Sequence, residues 1–143
     1  MNQPVSATPI ADAKRPFFYG VDVGGTAIKV GLVDDLGRVL GFISLPTDEP
    51  AGARAAMQRV ATALSNLCES LGVAIGDVAA IGLGAPGPMD LAAGTLVAPP
   101  QLPSWWGVNL RDVLSELTGL PVAFTNDANA AAYGEFWLGP GES

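Results

Sequence analysis

A chain of 143 residues, 49% apolar and only 15% charged, is long enough for one domain that buries roughly two-thirds of its unfolded surface, and too apolar to stay disordered. Fourteen acidic residues against seven basic ones give a net charge of −7, which argues against nucleic acid or an anionic membrane as a partner. One cysteine, Cys68, and no histidine exclude an internal disulfide, a Cys/His zinc site and a histidine-based catalytic triad.

No apolar run approaches the ~18 residues of a membrane span. The first sixteen residues, MNQPVSATPIADAKRP, lack the continuous apolar core of a secretory signal and read as a flexible polar tail before a domain over 17–143. A cytoplasmic protein with a small-molecule partner is expected. If that partner is anionic, it must be held by backbone N–H groups, turn or helix dipoles, a metal ion, or a rare base such as Lys29.

Residues 17–23 read as a buried strand. AIKVGLV, 27–33, alternates, with Ile28, Val30 and Leu32 on one face and Lys29 and Gly31 on the other, a second strand. DDLG at 34–37 is a turn and RVLGFISL at 38–45 a third strand, which makes an antiparallel meander closed by Pro46 and Pro50. Over 51–71 the apolar residues recur at helical spacing, with Gly72 beyond the last turn, and Cys68 falls on that stripe as a packing residue. DVAAIGLGA at 77–85 reads as a buried strand, and PMDLAAGTLVAP at 88–99 as a turn-containing excursion. A helix over 109–119 is capped by Asn109 and ended by Gly119; PVAFT at 121–125 is a last strand, and a final helix begins at Asp127. The order β-β-β-α-β-α-β-α is a meander followed by crossover units that set later strands parallel to the first.

Three motifs carry chemistry. The strand ending in Asp22 is followed by Gly24, Gly25 and Thr26, a sequence that can turn its N–H groups into one concavity for phosphate while Asp22 holds Mg²⁺ through water. The same residues also read as a plain Gly-Gly hairpin with a polar shoulder. GLGAPG, 82–87, satisfies the dinucleotide pattern in letters but not in context, because Pro86 and Pro88 bracket Gly87 where a helix should start. What it offers is a strand tip of small residues. TNDANAAA, 125–132, places Asn126 and Asp127 at a strand end; one would serve as a helix cap, and the pair also suits a base, Asp127, beside a substrate-orienting amide, Asn126. If the first, fourth and fifth strands are parallel, all three motifs meet at their carboxyl ends, where open α/β sheets bind ligands.

DVGGTAIKVGLVD, GLGAPGPMD with GTLVAPPQLPSWWGVNLRDVL, and LPVAFTNDANAAAYGE, in that order and spacing, resemble the N-terminal half of the ROK family, in particular its glucokinase-like sugar kinases. The resemblance runs from about Phe17 to the end of the chain. It implies an α/β domain of the ribonuclease H-like, actin-type ATPase class, with a mixed five-stranded sheet of order 3-2-1-4-5 and flanking helices. It also implies ATP and Mg²⁺ as cofactors and a hexose, with glucose foremost, as substrate. By the same resemblance Asp22, Gly24, Gly25, Thr26 and Lys29 lie near the phosphates, Gly87 and Asn126 on the sugar, and Asp127 faces the reacting hydroxyl as base. Lys29 equally reads as a solvated strand lysine, and for Trp105 and Trp106, near the presumed cleft rim, core packing or a lid contact serves as well as sugar stacking. Relatives of this family are about twice as long, and their second half supplies another phosphate loop, the adenosine pocket, further sugar ligands and, in many, a zinc site. Ala27 and Gln101 depart from residues frequent in the family. The expectation is therefore one lobe of a kinase, with a weak or absent activity of its own and a missing lobe or self-association to cover it. The alternative is a non-catalytic sugar-sensing domain as in the family's repressors, although sixteen residues cannot form their helix-turn-helix. A stand-alone actin-like ATPase would leave the Asn126-Asp127 pair without a purpose.

Overall fold

The computed structural model describes residues 7–86 and 88–125. Strands β1 (Phe17–Val23), β2 (Ala27–Val33) and β3 (Val39–Pro46) form the expected antiparallel meander. Helix α1 (Ala53–Leu71) crosses over to β4 (Val78–Gly84), which pairs parallel with β1. Helix α2 (Leu110–Thr118) crosses to β7 (Val122–Thr125), parallel with β4. The excursion between β4 and α2 contains a small two-stranded hairpin, β5 (Met89–Asp90) and β6 (Thr95–Leu96). The main sheet has the order β3-β2-β1-β4-β7, which is the expected 3-2-1-4-5 once the hairpin's two strands are numbered.

Alternation along the strands divides the sheet into two faces. Phe17, Tyr19, Val21 and Val23 of β1, Ile28, Val30 and Leu32 of β2, and Ile81 and Leu83 of β4 join one core with the apolar stripes of α1 and α2. In α1 that stripe is Ala53, Ala56, Met57, Val60, Ala63, Leu64, Leu67 and Cys68, all buried. The helix starts at 53 rather than 51 because Gly52, at φ 94°, separates it from a short 3-10 turn over Glu49–Ala51. It ends where Gly72 takes the left-handed conformation, φ 72°, as Gly119 does after α2. At the start of α2 the Asn109 side-chain oxygen accepts from the Asp112 N–H at 2.9 Å, the expected cap. Cys68 packs in the core as expected, and its Sγ lies 2.9 Å from the Tyr19 hydroxyl, which also donates to the Leu64 carbonyl. Burial pushes both the thiol and the phenol up from their ordinary values, so each stays protonated.

The other face bears the small residues Gly31, Gly20, Gly82 and Ala123, aligned in register across four strands. The final helix expected from Asp127 lies outside the described residues.

Among the described residues two polar side chains are buried, Asp34 and Thr47, and they sit at opposite ends of the meander. Asp34 occupies the β2–β3 turn, where it accepts four hydrogen bonds: from the N–H groups of Lys14, Leu36 and Arg38, and from the Arg38 Nε, at 2.9 to 3.0 Å. The segment read as a flexible tail is tied down here from Thr8 onward. Thr8 donates to the Val39 carbonyl at 2.7 Å, Asp35 donates to the Lys14 carbonyl at 2.8 Å, and the Arg38 guanidinium reaches the Asp12 carbonyl. These are backbone bonds to a non-periodic segment, so hydrophobic patterning gives no sign of them.

Burial pushes the Asp34 carboxyl up, but the hydrogen bonds from Lys14, Arg38 and Leu36 outweigh burial and hold it below the usual carboxylate range. A lowered folded-state pKa contributes stability that is present above the unfolded value of about 4 and is lost as pH falls through the folded value. Asp34→Asn is expected to cost about 2–4 kcal/mol at pH 7. Urea denaturation of both proteins from neutral pH to about pH 3 should show that difference shrinking as the wild-type carboxylate protonates.

Candidate functional site

At one end of the sheet the registers place Ser44, Lys29, Asp22, Gly84 and Thr125 in a single row across β3, β2, β1, β4 and β7. The row lies on the face opposite α1 and α2, one pleat beyond the small residues. Lys29 and Asp22 are both exposed, directly opposed on neighbouring strands, and do not form an ion pair with each other. A cation and a carboxylate therefore stand side by side in solvent at the carboxyl ends of β1, β4 and β7. The polar break in β1 occurs where the strand presents a side chain to solvent, between the buried Val21 and Val23.

Residues 24–26 form the connection between β1 and β2. The Gly24 N–H donates to the Ala27 carbonyl at 2.9 Å, closing a tight turn. A Cβ on Gly24 would lie 2.9 Å from that same carbonyl oxygen, and one on Gly25 3.0 Å from the Gln101 Oε1. Close approach of backbone requires glycine at 24, while at 25 a flexible side chain is the neighbour; neither residue has positive φ. Among the described residues neither the Gly25 nor the Thr26 N–H donates to a protein acceptor, and Thr26 is exposed. Two successive open donors therefore precede the strand that bears Lys29, in a protein with a net charge of −7.

The tip of β4 does not start a helix: Gly84 leads through Ala85 and Pro86 to the β5–β6 hairpin, which excludes the dinucleotide reading of GLGAPG. Ala85 donates to the Thr125 carbonyl at 3.1 Å, so the tips of β4 and β7 stay paired up to the last described residue. Gly87, Asn126 and Asp127 lie outside the described residues; Gly84 and Thr125, the residues that lead into them, are adjacent in register. Trp105 proves to be core, fully buried with its Nε1–H donated to the Glu49 carbonyl at 3.2 Å, whereas Trp106 is 62% exposed.

Asp22, Gly84 and Thr125, the described strand-end residues of the three motifs, share one end of the sheet. A family model described as the ROK family matches residues 18–143. The chain belongs to the ROK family. It is 36% identical over 126 residues to a glucokinase of Halalkalibacterium halodurans, with 88% of this chain and 38% of that protein covered. It is 37% identical over 123 residues to a glucokinase of Thermotoga maritima, with 85% and 37% covered. The chain thus spans well under half the length of the curated relatives it matches. Among solved structures it resembles a ROK family glucokinase from Streptomyces griseus in complex with glucose and AMPPNP, at 36% identity and a TM-score of 0.69, over 87% of this chain and 38% of that one. The fold is the actin-like ATPase fold of ROK sugar kinases. A ROK family transcriptional regulator shares it at 20% identity and a TM-score of 0.66, so the fold by itself does not separate catalysts from regulators.

Sequence reasoning found the turn and the strand tips but missed what holds them. Thr47, buried behind the turn, and Gln101, beside Gly25, belong to segments with no periodic signal. Burial of a threonine after a strand-ending proline is visible only once β3 lies beside β2.

The two glycines differ in what opposes a side chain. Gly24→Ala must displace backbone, and a cost of about 1–3 kcal/mol is expected, whereas Gly25→Ala meets only the exposed Gln101 side chain and is expected to cost less than about 1 kcal/mol. Equilibrium urea denaturation of the two variants measures the order.

Proposed function

We propose that this chain is one lobe, over 17–143, of a cytoplasmic ATP-dependent hexose kinase of the glucokinase type, which transfers the γ-phosphoryl group of ATP to the 6-hydroxyl of glucose. The observation that carries the reading is the row Lys29–Asp22–Gly84–Thr125 at one sheet end, beside the open N–H groups of Gly25 and Thr26. Glucokinases among the relatives and a relative solved with glucose and AMPPNP support it.

Phosphoryl transfer is chiefly positioning and charge neutralisation, which suits a site without histidine. The turn at Gly24, Gly25 and Thr26 receives phosphate oxygens through its N–H groups, and Lys29 adds positive charge beside them. The donor set fits Mg²⁺ as an ATP-borne ion: among the described residues no cluster of three acidic or cysteine ligands exists, and one exposed carboxylate, Asp22, is available to hold the ion's water. When bound, Mg²⁺ neutralises charge on the phosphates. The hexose lies over the tips of β4 and β7, where Gly87 admits it closely and Asn126 orients its hydroxyls. Asp127 accepts the proton of the attacking hydroxyl as its oxygen bonds to the γ-phosphorus and the bond to ADP breaks. Both protein charges at the row are solvent-exposed, so water must be excluded by a second lobe or a second copy before this geometry becomes efficient.

Titration with glucose by calorimetry, beside a coupled assay of ADP release with glucose and MgATP, tests the assignment on this chain and its variants. Weak glucose binding is expected, reduced at least tenfold in Asn126→Ala, with turnover slow or absent and none in Asp127→Ala. Rapid turnover by this chain alone would refute the single-lobe reading. Glucose binding unaffected by Asn126→Ala would remove the sugar assignment, and glucose binding without any nucleotide binding would favour the sugar-sensing alternative.

A further inference from the structure

We propose that Thr47 is a positioning residue for the phosphate turn, aiming the Gly25 N–H by fixing the Gly24 carbonyl from behind; this rests on the reading of residues 24–26 as the phosphate cradle. Thr47 is fully buried, and three of its polar groups are engaged in one corner. Its hydroxyl donates to the Gly24 carbonyl at 2.7 Å, and its N–H donates to the Thr26 carbonyl at 2.9 Å. Its own carbonyl accepts from Arg59 Nη2 at 2.8 Å, while Arg59 Nη1 donates to the Pro46 carbonyl beside it.

The consequence follows from peptide planarity. The Gly24 carbonyl and the Gly25 N–H belong to one trans peptide unit and point in opposite directions. Holding the oxygen toward Thr47 turns the N–H away from the corner, toward the open side of the turn. The Thr26 carbonyl, held by the Thr47 N–H, fixes the Thr26–Ala27 peptide in the same way and leaves the Gly25–Thr26 peptide between two anchored ones. Glycine at 24 and 25 leaves these peptides otherwise free to rotate, so an external anchor decides their orientation.

The anchor is itself braced. Asp48 takes a left-handed conformation, φ 48°, which reverses the chain after Thr47 and brings Glu49 to the 101–105 segment. There Glu49 accepts from the Ser104 N–H at 2.7 Å, and its carbonyl accepts from the Ser104 hydroxyl and the Trp105 indole. Gln101 of that segment lies beside Gly25, where a Cβ would come within 3.0 Å of its Oε1. Glu49 thus joins the segment that bears Thr47 to the segment that bears Gln101.

The test compares the wild-type chain with Thr47→Val, Thr47→Ala and Thr47→Ser. Each is titrated with magnesium AMPPNP, and the amide signals of Gly25 and Thr26 are followed by NMR. Wild type is expected to bind with shifts at both amides. Thr47→Ser, which keeps the hydroxyl, should bind as wild type does. Thr47→Val and Thr47→Ala should bind about 5- to 20-fold more weakly, a fraction of the loss expected for one charge-assisted hydrogen bond, with the Gly25 shift diminished and glucose affinity within twofold. Equal nucleotide affinity in all four proteins would overturn the role of Thr47 and leave the phosphate reading standing. Equal losses in Thr47→Ser and Thr47→Val would show that the hydroxyl is not the anchor. Failure of both Thr47→Val and Thr47→Ala to fold would make Thr47 a residue of the fold and overturn the assignment. Nucleotide binding by wild type without shifts at Gly25 and Thr26, or no binding at all, would refute the phosphate cradle itself.

Discussion

The parallel pairing of β1 with β4 is the constraint on which the rest of the structure depends. Parallel neighbours cannot be joined by a hairpin; the chain must travel back the length of the sheet, and α1 makes that return while covering one face. The crossover does two things at once. It commits Tyr19, Val21, Ile81 and Leu83 to a core with Leu64 and Cys68, and it brings the carboxyl ends of β1 and β4 to the same edge. A second crossover through α2 adds β7 in the same sense. Because side chains alternate, the residues that escape the core at that edge all fall on the opposite face, and Asp22, Lys29, Gly84 and Thr125 are the ones found there.

The two buried polar side chains divide the meander into a structural end and a functional end. Asp34 is a buried charge whose hydrogen bonds are all supplied by its own turn and by the preceding segment, so it fixes the β2–β3 connection and draws residues 8–15 onto the domain. Thr47 is neutral and spends its hydrogen bonds on the neighbouring turn instead of its own. A carboxylate could not do the same work, because it has no proton to donate to the Gly24 carbonyl and, in the proposed cradle, would compete with the anion for the turn's N–H groups. The threonine supplies a donor to a carbonyl and leaves the electrostatics of the turn unaltered.

In the proposed kinase an acidic lobe must accept a polyphosphate, and local geometry answers the repulsion. At a net charge of −7 the long-range field repels an anion, but ionic strength screens that field over about 8 Å. In the proposed cradle the contacts would be made at hydrogen-bond distance by two backbone donors, with Lys29 on the adjoining strand. The exposed Asp22 next to them is unfavourable to bare phosphate and favourable to a phosphate that carries its divalent cation. The same arrangement explains why one lobe is insufficient in the proposed kinase. Every charge in the row faces water, and the interactions gain full strength only when a facing surface lowers the local dielectric.

Much of this was legible in the sequence where the physics is local. Helical spacing from Ala53 to Cys68, the Asn109 cap with Gly119 at the far end, the alternation of β2 and the turn at Gly24-Gly25 each follow from a few neighbouring residues, and the order of elements implied the parallel strands. Three ordered motifs determined the family. Tertiary structure decided what depends on residues distant in sequence. Trp105 became core with its indole on the Glu49 carbonyl, Lys14 was drawn to the buried Asp34, and Thr47 came to hold the Gly24–Thr26 turn because β3 ends beside the start of β2. Side-chain periodicity reports which face a residue takes; it contains no record of which backbone carbonyl a buried hydroxyl will find, since that partner is set by strand register and not by neighbours in the chain.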